Sequence, residues 1–114
     1  MPWHLIMHHR ACLGKRANAY SLGTIEIMEG ATVAQEAYLC TGTHDFNSSS
    51  FQLITQKITV EDGAFVGVRA MIMPGITIGK NAIVGAQSVV TKNVKTDQIV
   101  AGNPAREIGL RKSN

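Results

Sequence analysis

One histidine stands apart in this chain. His44 lies in Gly42-Thr43-His44-Asp45, at the head of a polar stretch that runs to Lys57, whereas His4, His8 and His9 all fall within the first nine residues. Neutral imidazole takes up a proton near physiological pH, so histidine suits deprotonation of an alcohol as it attacks a carbonyl. A loop histidine can equally be exposed and idle, and residue type alone leaves both readings open. Asp45 can orient that imidazole or shape the turn; adjacent side chains of extended chain face opposite ways, which favours the turn. Lys92 and Arg106 are cations able to meet phosphate, or members of a solvated basic face. Tyr20 and Ser21 offer hydroxyl groups to a polar ligand, or simply occupy a surface turn.

Other chemistry is less favoured. No carboxylate-histidine cluster with ligand spacing accompanies His4, His8 and His9, so no metal is expected. Cys12 and Cys40 have no Cys or His partner at motif spacing and read as buried or inert thiols rather than a disulfide.

The elements that must position these residues follow from periodicity. Stepping by six from Val60 meets Val66, Ile72, Ile78, Val84 and Val90, all β-branched. Two residues before each stand Ile58, Ala64, Ala70, Ile76, Ala82 and Ser88, small or aliphatic throughout. Upstream the same phase holds at Ile27, Val33 and Leu39, and more weakly at Met7, Leu13 and Ala19. Alternation along a strand points both members of each pair inward. A period of six cannot keep one face of a 3.6-residue helix buried. Each hexad is therefore a short strand and a tight corner, stacked into a solenoid. Glycines after the aliphatic position (Gly67, Gly79, Gly85) are expected to supply backbone freedom at corners.

Two insertions break the phase. Ala19 to Ile27 is eight residues, two more than a hexad, and Leu39 to Val60 is twenty-one, fifteen more. If three hexads make one coil, as the resemblance described next implies, the coils are 7-13-19, 27-33-39, 60-66-72 and 78-84-90. Both insertions then follow the third hexad of a coil, so residues 20–24 and 42–57 must leave the same corner as neighbours.

The segment from Ile76 to Val94, followed by Ala101-Gly-Asn-Pro-Ala-Arg106, resembles the hexapeptide-repeat acyltransferase superfamily. Tyr38-Leu-Cys-Thr-Gly-Thr-His-Asp45 is similar to the colanic-acid biosynthesis acetyltransferase branch, near the maltose, galactoside and nodulation acetyltransferases. The resemblance spans about residues 5 to 110. It implies an all-β fold: a left-handed parallel β-helix of triangular section and about four coils, with one long protruding loop. A short C-terminal helix is expected to start near Pro104 and include Arg106. Residues 1–114 would form one domain, with loop 42–57 inserted and a cap at about 101–114. The implied activity is O-acetyl transfer from acetyl-CoA to a sugar or polysaccharide-precursor hydroxyl, with His44 as general base. The implied donor site takes Gly67, Val68, Ala86, Thr91, Lys92 and Arg106, in a groove between two subunits of a homotrimer. Tyr20, Ser21 and Asp45 are candidates for the acceptor side, although some relatives carry an acidic or amide residue where Ala19-Tyr20-Ser21 stands.

Composition agrees with that frame. Apolar residues make up 45% of the chain and aromatics only 5%, with 11 glycines, a mix suited to thin repeated strands. A net charge of +3 without a dense basic run fits a small anionic ligand better than nucleic acid. No run of about 18 apolar residues marks a membrane span, and the short polar N-terminus is unlike a signal peptide, so cytoplasmic location is expected. The rival reading is a scaffold that keeps the prism and has lost activity. Its motive is a chain that begins almost inside an irregular first coil; the Thr-His pair, Thr91-Lys92 and Asn103-Pro-Ala-Arg106 speak against it.

Overall fold

The computed structural model describes residues 4–20, 23–44 and 53–112; for Tyr20, Thr43, His44, Leu53 and Ile54 the description stops at the backbone. Three parallel walls form a prism. The first stacks β1 (Leu5–Met7), β4 (Ile25–Ile27), β9 (Ile58–Val60) and β12 (Thr77–Ile78). The second stacks β2 (Cys12–Leu13), β5 (Thr32–Val33), β10 (Phe65–Val66), β13 (Ile83–Val84), β15 (Gln98–Gly102) and β16 (Ala105–Leu110). In the third are β3 (Asn18–Tyr20), β6 (Tyr38–Cys40), β11 (Met71–Ile72) and β14 (Val89–Val90). The phase read from the sequence is the register of the walls: Ile27 pairs with Val60, Val66 with Val33 and Val84, Ile72 with Leu39 and Val90.

The interior is the aliphatic ladder. Ile27, Val33, Leu39, Val60, Val66, Ile72, Ile78 and Val84 are wholly buried. Eight corners close with the same turn, in which the amides of Ala11, Ala17, Ala31, Ala37, Ala64, Ala70, Ala82 and Gln98 reach back to the carbonyls of His8, Gly14, Met28, Ala34, Glu61, Gly67, Gly79 and Lys95. The third residue of that turn has positive φ, as a type II turn requires. Mostly it is not glycine: Arg10, Arg16, Glu36, Arg69, Asn81, Gln87 and Asp97 all sit near +60°. The expectation for Gly67, Gly79 and Gly85 is thus corrected. None of the three has positive φ. What demands glycine at 67 and 79 is close approach between coils: a Cβ on Gly67 would lie 2.7 Å from the Ala86 nitrogen, and one on Gly79 2.6 Å from the Thr96 nitrogen, while one on Gly85 would lie 3.0 Å from the Ala101 Cβ.

The corner leading from the third wall to the first differs from the other two. At those, the small inward residue is alanine (Ala31, Ala37, Ala64, Ala70, Ala82) or Ser88, wholly or almost wholly buried, because an acute corner has room for little else. At the third-to-first corner the same position holds Leu5, Ile25, Ile58 and Ile76. Both insertions depart there, as their spacing requires. Part of the long loop is an antiparallel hairpin of β7 (Gly42–His44) and β8 (Leu53–Thr55), in which His44 pairs with Leu53.

The expected C-terminal helix is absent among the described residues. After the fourth coil a partial fifth begins: Val94 bridges Ile78, and β15 runs parallel to β13. Asn103 and Pro104, joined by a cis bond, then turn the chain into β16, antiparallel to β15. The free edge of β15 offers a row of backbone partners, whereas a six-residue helix containing Gly109 would be marginal. Arg106 consequently lies on a strand.

Candidate functional site

Thr41 is the base of the hairpin. It is a wholly buried polar residue, facing inward two positions after Leu39. Its Oγ1 accepts a hydrogen bond from the Gly23 amide at 2.9 Å, and its carbonyl accepts one from the Gln56 amide at 2.9 Å. One residue thus joins the first insertion, the start of the His44 strand and the return arm. Spacing foretold the neighbourhood of the two insertions; the role of Thr41 had only the weak signal of a hydroxyl in inward phase.

The acceptor-side candidates are documented unevenly. Ser21 and Asp45 lie outside the described residues, and Tyr20 is placed by its backbone alone, opposite Cys40. Cys40 is half-buried, with its thiol 3.1 Å from the Gly42 carbonyl. Cys12 is exposed on the outer face of the second wall, so of the reading as a buried or inert thiol the burial does not hold.

Five of the six donor-side candidates divide between two corners, and the sixth, Arg106, lies on β16 of the second wall. Gly67, Val68 and Ala86 cluster where the second wall meets the third: the Gly67 amide donates to Val84 and the Gln87 amide to Val68, each at 2.8 Å. Thr91 and Lys92 follow β14, at the same third-to-first corner as the His44 hairpin but two coils further on, about 10 Å at the ~4.8 Å spacing of paired strands. Lys92 and Arg106 line one cavity of about 210 Å³ at the end of the prism. Glu107 lines it too, held at 3.0 Å by the Gln98 amide group. Asn93, beside Lys92, was missed by sequence reasoning; its Oδ1 accepts from the Thr77 amide at 2.8 Å and closes the fourth coil.

A charged cluster that no sequence signal marked supports the hairpin from outside. Glu26 accepts from Lys57 at 2.9 Å and contacts His8 Nε2 at 2.5 Å. The Lys57 hydrogen bond first, and the one from His8 second, hold the Glu26 carboxyl below its ordinary value of 4.5. Lys57 precedes β9, so the cluster ties the end of the loop to the first two coils. Among the described residues, no group of three His, Cys, Asp or Glu is arranged to hold a metal ion, and no helix is long and apolar enough to cross a membrane.

Comparison with known proteins agrees with the prism. Residues 57–92 match the bacterial transferase hexapeptide (six repeats) family. A protein of Escherichia coli K12, provisionally named colanic acid biosynthesis acetyltransferase WcaF, is 36% identical over 104 residues, which cover 91% of this chain and 57% of that one. The fold overlays a maltose O-acetyltransferase of Clostridium difficile 630 with a TM-score of 0.90 at 24% identity, over 97% of this chain and 61% of that one. It also overlays AntD, an N-acyltransferase of Bacillus cereus in complex with dTDP-4-amino-4,6-dideoxyglucose and coenzyme A, with a TM-score of 0.88 at 21% identity, over 96% and 64% of the two chains. The chain belongs to the hexapeptide-repeat transferase family, and its coil is that family's left-handed parallel β-helix. Within the family it stands with the branch of the colanic-acid biosynthesis and galactoside acetyltransferases. It spans little more than half the length of the curated relative it matches.

Proposed function

We propose that this protein is an acetyl-CoA-dependent O-acetyltransferase acting on a sugar or polysaccharide-precursor hydroxyl. The observation that carries the reading is the placement of His44: on a hairpin rising from the corner shared by both insertions, on the same edge as Lys92. The acceptor hydroxyl oxygen attacks the thioester carbonyl while the His44 imidazole takes its proton. Collapse of the tetrahedral adduct breaks the carbon–sulfur bond, and the CoA thiolate takes the proton back from His44, leaving acetyl ester and free CoA. A backbone amide near the corner would stabilise the oxyanion. Neither Cys12 nor Cys40 is needed, since direct transfer forms no acyl-enzyme.

The donor is assigned on chemistry. Lys92 and Arg106 are exposed cations on one cavity, a pairing suited to the phosphates of CoA. Gly67, Val68 and Ala86 lie on another corner, so a groove using all six takes one corner from each of two copies. That arrangement favours a homotrimer with active sites between subunits. Phe65 and Met71, 40% and 38% exposed on the walls flanking the Val68 corner, would be covered by it. A small-molecule sugar acceptor in the cytoplasm completes the reading.

The test is His44→Ala. Loss of a general base lowers the rate by about 10²–10⁴, with fold and acetyl-CoA affinity retained because His44 is outside the repeated core. Release of the CoA thiol is followed over a panel of sugar acceptors, and the wild-type profile should rise through a pKa near that of histidine. A folded mutant with wild-type kcat refutes the assignment.

A further inference from the structure

We infer that Thr41 is a positioning residue that fixes the His44 hairpin against residues 23 and 24 of the first insertion. This rests on the reading of His44 as the base. Nearly everything else wholly buried in the prism is hydrocarbon; Thr41 is buried to the same degree and carries a hydroxyl. That hydroxyl reaches sideways to the preceding coil, where Gly23 donates to it at 2.9 Å. The Thr41 carbonyl closes the hairpin by accepting from Gln56 at 2.9 Å, and the strand pairs that follow are Gly42 with Thr55, Thr43 with Ile54 and His44 with Leu53.

Two surfaces of one residue are thus held at once, in different directions. A strand leaving a prism by one backbone bond can pivot about it; the second bond, to Gly23, removes that rotation. The joint is also tight. A Cβ on Gly23 would come within 3.3 Å of both the Thr41 and the Thr55 Cβ atoms, so hairpin and first insertion are in direct contact. His44 lies three residues beyond the joint, where a small pivot displaces an imidazole by more than a proton transfer tolerates.

Thr41→Val keeps the shape and deletes the acceptor; Thr41→Ser keeps the acceptor. With methyl galactoside as probe acceptor, Thr41→Val should lower kcat at least tenfold at unchanged KM for acetyl-CoA, and Thr41→Ser should stay within about threefold of wild type. Gly23→Ala perturbs the joint from its other side and should also lower kcat at unchanged KM, which covers the case of a Thr41→Val protein that does not fold. Because Thr41 acts through His44, adding Thr41→Val to His44→Ala should cost no further rate. Independently of any acceptor, amide exchange at residues 42–44 and 56 should quicken at least tenfold in Thr41→Val while coils three and four stay protected. A folded Thr41→Val protein with wild-type kcat and a protected hairpin overturns the inference, as does a further tenfold loss in the double mutant. If His44→Ala alone keeps full activity, the base assignment fails first and takes the positioning role with it.

Discussion

Substituting Gly79 by alanine isolates the force that sets how closely coils stack. Gly79 has ordinary φ, so alanine meets no backbone strain there. It does meet the next coil. The new Cβ would lie 2.6 Å from Thr96 N, 2.7 Å from Lys95 C and 2.8 Å from Val94 O, all backbone atoms that no rotamer can move aside. Ordinary contact begins at 3.4 Å, so the gap must open by 3.4 − 2.6 = 0.8 Å. The Gly79 amide donates to Val94 O at 2.7 Å, and the same displacement takes that bond to about 3.5 Å, past useful length. Overpacking costs about 1–3 kcal/mol and the lost bond about 1 more, giving about 2–4 kcal/mol in all. Gly30 is the control: at φ +69 with nothing within 4 Å of a new Cβ, alanine should cost only the left-handed penalty of about 1–2 kcal/mol. Asparagine should cost less still, as it tolerates that region and Asn81 already occupies the equivalent corner at +60°. Urea unfolding followed by circular dichroism, at matched protein concentration, gives each value. If Gly79→Ala and Gly30→Ala unfold at the same midpoint, inter-coil contact is not what demands Gly79.

Other expectations concern ligand, acid stability and assembly. Lys92→Ala and Arg106→Ala should each weaken acetyl-CoA binding about tenfold by calorimetry, given about 1.5 kcal/mol for a charge-assisted bond, with melting unchanged; unaltered affinity in both would make those cations a solvated face. Glu26 has its folded pKa lowered, so its stabilisation is full above its ordinary value of 4.5 and fades as pH falls through the lowered folded value. Glu26→Gln should therefore reduce stability at neutral pH, by less than about 1 kcal/mol for so solvated a cluster, and flatten the acid limb; an unaltered limb by thermal melting would remove Glu26 from the acid response. Light scattering should give three times the chain mass, and a monodisperse monomer would rule out both the trimer and the shared donor groove.

Much of the architecture was legible in one dimension because a solenoid is nearly one-dimensional. Each hexad touches only the coils above and below, so phase determined which residues are interior, and phase with three hexads to a coil, as the family resemblance implied, determined which pair across walls and that both insertions leave one corner. The place of His44 outside the repeat was legible for the same reason, since it stands at the mouth of a fifteen-residue interruption. Where periodicity ended, so did its authority. Residues 105–110 carry no hexad and form a strand because the edge of β15 needed partners, something only the preceding coil could dictate. Glycine at 67 and 79 was visible in sequence, but its reason is the distance to the next coil, which no single coil contains. The donor-side candidates looked like one set along the chain, but five fall on two corners of the prism and Arg106 on a strand of the second wall. Thr41 drew no reading of its own from the sequence; burial and two hydrogen bonds from separate segments made it the joint, because a hydroxyl in inward phase has to find its partner in three dimensions.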